Sequence, residues 1–182
     1  MFEKVLNQML ADRGYVCEPC EQTSTFLHSL YRKPDGKCMA VFVLLDGLKT
    51  DMVGVKEMRQ IRGWMVDNGL THGLLISKGG VNHYTVKEIR AWDDIHMELF
   101  KASELQVNIT HSCYYQPHNL VPRDMSLEII RRYAGVDKLP RLQVSDPVVR
   151  YFGWRVGDVI EVRPTYGGCE FDKIYNVVCH AQ

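Results

Sequence analysis

The chain has no stretch long and apolar enough to cross a bilayer. Its longest apolar run, Met39-Ala-Val-Phe-Val-Leu-Leu45, falls far short of the roughly 20 residues a spanning helix needs. Nor is there an excess of charge of either sign. Lys and Arg total 22, Asp and Glu total 22, and the formal net charge is +0. A free-standing nucleic-acid binder draws its affinity mainly from surplus Lys and Arg. The balance argues against that class and still permits local DNA contact within a larger assembly. Internal repeats and low-complexity tracts are absent. The first ten residues, Met-Phe-Glu-Lys-Val-Leu-Asn-Gln-Met-Leu, carry charges inside a helical pattern and do not read as a secretory signal. The six cysteines are therefore expected as reduced thiols.

Several familiar chemistries lack a necessary part. Cys17-Glu-Pro-Cys20 has the spacing of a zinc knuckle, but a structural zinc needs four ligands, usually from two such pairs. No second Cys-x-x-Cys exists, and His28 and Cys38 stand at spacings that match no known site. Reduced thiols beside a turn are the expectation. The pair does not open a helix after a strand, as a redox site would. A metal-dependent nuclease needs an acid, then a second acid two residues before a Lys. Pro34-Asp35 and Asp35-Gly36-Lys37 share one Asp. In Asp46-Gly-Leu-Lys49, alternation along a strand would put Asp46 and Lys49 on opposite faces. Cys113 with His111 or His118 has no orienting third group, so a nucleophile–base pair is not expected. Gly79-Gly80 and Gly167-Gly168 lack the further glycines and the Lys-Ser/Thr of a phosphate loop; they are expected as hairpin turns. No catalytic residue, metal or cofactor is assigned.

What the chain does have is material for a core. At 182 residues, 46% apolar and 24% charged, it fits one large globular domain or two small ones. Phe2, Val5, Leu6, Met9 and Leu10 fall on one helical face, with Gly14 as the stop. A second short helix is expected over 23–32, then a turn at Pro34-Asp35-Gly36. Met39–Leu45 reads as a buried strand. Val55, Met58, Ile61, Met65 and Val66 mark a helix ending near Asn68-Gly69, and Gly73–Ser77 a buried strand. A short helix over 85–91, a strand over 95–100 and an alternating strand over 105–109 follow. Strands and helices in alternation make a mixed α/β unit. Ser112–Arg123 loses periodicity and holds two prolines, which suits a linker.

The second unit opens with a helix over 126–134 stopped by Gly135, and Leu139–Val144 is extended. Asp146 is a strong N-cap, Pro147 sits at N1 where its missing N–H costs nothing, and Gly153 ends the helix. Val156-Gly-Asp158 turns into a strand over 159–163, and 174–179 is the last strand. This is a small α+β module. Arg141 and Arg150 flank the Asp146-Pro147 cap. They suit either a partner surface, where Arg is enriched, or a local Asp146–Arg150 pair worth a few tenths of a kcal/mol.

The wording of this region then becomes informative. Leu139-Pro-Arg-Leu-Gln-Val-Ser-Asp-Pro-Val-Val-Arg-Tyr-Phe-Gly153, followed by Gly157-Asp-Val-Ile-Glu-Val-Arg163, resembles the signature of the fifth shared subunit of eukaryotic DNA-directed RNA polymerases and of its archaeal counterpart. The likeness extends to Val107-Asn-Ile-Thr-His111, Leu120-Val-Pro122 and Arg132-Tyr133, and in the first unit to Asp12-Arg-Gly-Tyr15, Val53–Met58 and Gly73–Ile76. It implies a restriction-endonuclease-like N-terminal jaw domain over 1–111 without a nuclease site, and a small α+β assembly domain over 112–182. The implied role is non-catalytic. The assembly domain docks on the largest polymerase subunit, among neighbouring small subunits, and the jaw lies near downstream double-stranded DNA. Leu139, Pro140, Arg141, Asp146, Pro147, Arg150, Tyr151 and Gly153 carry the docking expectation, with Arg150 and Tyr151 facing the partner or bracing the cap. DNA-contacting residues are unassigned, and neither membrane association nor a homo-oligomer is expected. The first unit resembles a shortened form of the family's jaw, with less chain between Arg32 and Asp51. Arg163 is followed by Pro-Thr-Tyr-Gly-Gly168, where the family tends to carry Ser-Glu-Thr-Ala-Gly. A divergent eukaryote and a large DNA virus both fit, so the implied location is the nucleus, or the virion or host cytoplasm for a viral protein. The alternatives are an active nuclease of the same fold and a stand-alone transcription adaptor.

Overall fold

The computed structural model describes residues 2–18, 27–44, 52–166, 169–170 and 172–180. The chain divides into two compact units, Met1–Val107 and Asn108–Gln182. The first runs α1 (Phe2–Asp12), β1 (Val16–Glu18), β2 (Leu27–Arg32), β3 (Cys38–Leu44), α2 (Val55–Asp67), β4 (His72–Ser77), α3 (His83–Arg90) and β5 (His96–Lys101), with a 3-10 turn at Ala102–Leu105. Its sheet has the order β1-β2-β3-β4-β5. The strands β1, β2 and β3 pair antiparallel, whereas β3, β4 and β5 pair parallel. Each parallel step is joined by a helix, the usual way to return the chain to the same edge.

Parallel strands covered on both faces read as continuous apolar runs, and β3 and β4 do. Ala40, Phe42, Leu44, Leu75 and Met97 form one core with Met58, Ile61 and Met65 of α2 and Ile89 of α3. Gly73 lies where α2 presses on β4. A Cβ there would collide with Met97 Sδ and stand 3.0 Å from Met65 Sδ. Residues of opposite parity point to the other face, where α1 is held. Tyr31 of β2 donates its hydroxyl to Asn7 Oδ1 at 2.6 Å. Arg13, just past α1, donates to both carboxylate oxygens of Glu98 on β5 at 2.9 and 2.8 Å.

Four sequence expectations for this unit are corrected. The helix expected over 23–32 is strand β2 from Leu27 onward, with 23–26 outside the described residues. The Pro34-Asp35-Gly36 turn folds it against β3 in register Tyr31↔Met39, and that pairing overrides local helix propensity. Val66 is 54% exposed, because the step of about 100° after Met65 carries it to solvent. Gly79-Gly80 leads from β4 into α3; β4 and β5 are parallel, so no hairpin joins them. The strand expected over 105–109 is replaced by 3-10 turns at Ala102–Leu105 and Ile109–His111. There the Lys101 N–H donates to Glu104 Oε2 and the Thr110 N–H to Asn108 Oδ1. Such side-chain caps offer the backbone an alternative to a strand ladder.

The second unit continues with β6 (His118–Leu120), α4 (Arg123–Arg132), a 3-10 turn at Val136–Lys138, β7 (Arg141–Gln143), α5 (Pro147–Phe152), β8 (Val159–Val162), β9 (Thr165–Tyr166), β10 (Cys169–Glu170) and β11 (Ile174–Cys179). The main sheet has the order β6-β8-β11-β7. It is also mixed: β11 is antiparallel to β8 and parallel to β7. Val121, Ile129, Leu139, Val159 and Val177 cluster on one face. Val149, Ile160, Val162 and Val178 cluster on the other. The segment 112–123 is not a free linker, since it contains β6, hydrogen-bonded to β8. The helix expected over 126–134 starts at Arg123 and ends at Arg132.

Candidate partner-binding site

The residues singled out between Leu139 and Gly153 fall into a buried frame and an exposed rim. The frame begins with the cap. Asp146 Oδ1 accepts from the N–H groups of Val148 at 2.8 Å and Val149 at 3.4 Å, and Pro147 occupies the first turn. Gly153 ends the helix at φ +69°, a left-handed conformation that glycine adopts without strain. Leu139 is buried in the α4 side of the core. Val149 is buried in the other cluster. Pro140 and Arg141 at the start of β7 are exposed, as is Pro147, and Arg150 is half-buried.

Tyr151 belongs to the frame. It is 3% exposed, and Asn108 Nδ2 donates to its hydroxyl at 3.1 Å. Asn108 is itself buried, and its Oδ1 also accepts from the Thr110 N–H at 2.9 Å and the Thr110 hydroxyl at 2.7 Å. One amide thus caps the 3-10 turn at Ile109–His111 and braces α5 from 43 residues away. The family-like string Val107–His111 was the available signal for Asn108, although its period suggested a strand. A second unassigned residue is Glu161 on β8. Its carboxylate accepts from Arg163 Nε at 2.7 Å, Lys173 Nζ at 3.1 Å and the Tyr175 hydroxyl at 3.5 Å.

Two measurements check this frame. Asp146→Ala is expected to cost about 1 kcal/mol in a urea unfolding titration, the usual value of an N-cap. Arg163, then Lys173, hold the Glu161 carboxyl below the usual carboxylate range. A carboxyl lowered in the folded state adds stability at pH values above the unfolded titration, and that share is lost as pH falls through the folded value. Stability of the second unit should therefore fall in acid, with a shallower fall in Glu161→Gln. Because Arg163 and Lys173 are half-exposed, high salt should shrink the difference between the two proteins.

The other candidate chemistries occupy ordinary positions. Asp35 is exposed in the β2–β3 turn, with its carboxylate engaged by the Lys37 N–H at 3.1 Å and the Lys37 ammonium at 3.0 Å. Asp46, Lys49, Cys20 and Gly167-Gly168 lie outside the described residues. Cys17 and Cys113 are exposed free thiols. The His118 ring stands between Tyr115 and Trp154, with centroid distances of 5.8 and 6.4 Å, and its Nδ1 meets the Gln116 carbonyl. No cluster of three or more His, Cys, Asp or Glu fit to hold a metal occurs among the described residues.

Comparison with known proteins covers both units. Residues 107–171 match the family model described as RNA polymerase Rpb5, C-terminal domain. The chain is 29% identical over 175 residues to the DNA-directed RNA polymerases I, II, and III subunit rpabc1 of Dictyostelium discoideum, with 89% of this chain and 88% of that protein covered. Against the corresponding subunit RPABC1 of Caenorhabditis briggsae the identity is 27% over 183 residues, covering 89% and 87%. Against DNA-directed RNA polymerase V subunit 5C of Arabidopsis thaliana it is 26% over 170 residues, covering 85% and 72%. The matched span opens one residue before Asn108 and takes in the capped helix, β7 and β8; over that span the chain is similar to the Rpb5 C-terminal domain, and over most of its length to subunits of eukaryotic DNA-directed RNA polymerases.

Proposed function

We propose that this protein is a structural subunit of a multisubunit DNA-directed RNA polymerase that docks through its second unit on the largest subunit. The observation that carries this is the division of labour within 139–153. Leu139, Asp146, Tyr151 and Gly153 build the fold, while Pro140 and Arg141 are exposed beside it and Arg150 is half-buried on the capped helix. Arg forks on a fixed frame recognise carboxylates and carbonyls at little entropic cost. The first unit, read as a restriction-endonuclease-like jaw, would then lie beside downstream DNA and support transcription without cleaving it. The names of the relatives support a place within a polymerase, and with it a nuclear location.

Size fractionation of the native complex tests this. The chain should run almost wholly in a particle of several hundred kilodaltons containing the largest subunit, and simultaneous replacement of Arg141 and Arg150 by Ala should shift it to the free pool. A mostly free wild-type chain would overturn the reading in favour of a stand-alone adaptor. Undiminished recovery of the largest subunit with the double variant would overturn the docking surface.

A further inference from the structure

We propose that the partner is taken up by strand addition: an extended segment of the partner lies parallel to β7 and bonds to the main chain of Arg141 and Gln143, with a carboxylate beside the Arg141 side chain. This rests on the docking reading above and specifies its chemistry.

The hydrogen bonds around β7 show which of its groups are occupied. The Pro140 carbonyl accepts from the Val177 N–H at 2.9 Å, and the Val144 N–H donates to the Cys179 carbonyl at 2.8 Å. The register is Val177↔Arg141, Val178↔Leu142 and Cys179↔Gln143. Main-chain groups alternate along a strand, so residues 140, 142 and 144 face β11, and Arg141 and Gln143 face outward. The Gln143 carbonyl accepts from the Asp146 N–H at 2.9 Å, as part of the turn into α5. Three outward groups are left: the N–H and carbonyl of Arg141, and the N–H of Gln143. None has a hydrogen-bond partner among the described residues, and both side chains are exposed. β7 is one of the two outer strands of its sheet among the described residues.

These three groups select the orientation of the occupant. In a parallel ladder, one partner residue donates its N–H to the Arg141 carbonyl and accepts from the Gln143 N–H. The partner residue two positions earlier accepts from the Arg141 N–H. All three open groups are used, and nothing is asked of the Gln143 carbonyl. An antiparallel strand would need that carbonyl for its second close pair. Natural edges are usually blunted by short length, Pro or charge. Here Pro140 has no N–H to lose on the outward side, since residue 140 faces β11. The three-residue length admits a short specific strand and excludes long indiscriminate pairing. Main-chain bonds supply affinity in this mode, and alternate side chains supply specificity. Among the described residues no acid pairs with Arg141, so an acidic residue on the incoming strand completes the match.

The test is amide hydrogen exchange on the full chain, free and within the purified polymerase. The Arg141 and Gln143 amides should exchange about tenfold or more slowly in the assembled particle, the change that one added hydrogen bond produces. The Leu142 amide, already facing β11, should be protected in both. In parallel, Gln143→Pro removes an outward N–H and no bond to β11. It should lower recovery in the particle about tenfold, while Leu142 protection in the free variant reports an intact sheet. Unchanged exchange at Arg141 and Gln143 on assembly would overturn strand addition, even where the Arg141/Arg150 double variant dissociates and the docking reading stands. If the double variant also stays assembled, the docking reading falls with it. Should Gln143→Pro unfold, exchange in the unaltered chain still decides.

Discussion

Replacing Arg13 with Ala is expected to destabilise the first unit by about 3–5 kcal/mol, the cost of removing one partner from a buried ion pair. The Arg13 side chain is 3% exposed and that of Glu98 16%. Both guanidinium–carboxylate bonds are short, at 2.9 and 2.8 Å. Without Arg13, the Glu98 carboxylate stays in a poorly solvated place on the α1 face of β5. Such a loss is a large share of the roughly 5–15 kcal/mol that holds an ordinary domain. Urea unfolding followed by Trp64 and Trp92 fluorescence measures it. The apolar double variant, Arg13→Met with Glu98→Leu, should recover most of the loss, because a well-packed apolar pair often matches a buried ion pair. A loss below about 1 kcal/mol for Arg13→Ala would mean that the pair behaves like an exposed surface bridge.

Truncating Tyr151 to Ala should cost about 3–5 kcal/mol in the second unit, through lost transfer energy and the cavity left behind. Tyr151→Phe keeps the ring and should cost about 1–2 kcal/mol, since it removes the buried hydrogen bond between Asn108 Nδ2 and the hydroxyl. The Tyr151 and Phe152 rings meet edge-on with centroids 5.1 Å apart, and Phe152 stacks on Trp154 at 4.7 Å. Trp154 fluorescence therefore reports the change directly. The Phe variant should still enter the polymerase normally, because the hydroxyl faces Asn108 inside the unit. Full stability combined with lost assembly in Tyr151→Phe would mean that the hydroxyl meets the partner instead.

The expectations that held rest on short-range chemistry. Asp146-Pro147 and Gly153 mark both ends of α5, because capping, a preset φ and a left-handed stop are settled within a few residues. Met39–Leu44 and Gly73–Ser77 read as buried strands because both faces of β3 and β4 are covered. The run Met58, Ile61, Met65 has one period and one partner surface. The resemblance to the polymerase subunits was equally legible, since the word order around Leu-Pro-Arg and Asp-Pro does not depend on knowing which face is buried.

Other features were decided only when distant segments met. Leu27–Arg32 became a strand because a turn folded it onto β3, and β6 formed because β8 offered an edge to a stretch with no period of its own. The sequence contained Asn108 and Tyr151, Arg13 and Glu98, and Arg141 at an outer strand, but separations of 43 and 85 residues carry no local signal. So the residues by themselves determined the caps, the core runs and the resemblance to the polymerase subunits. Only the tertiary structure decided that Tyr151 turns inward and that the main chain of Arg141 faces out, because burial and strand order are properties of the packed sheet.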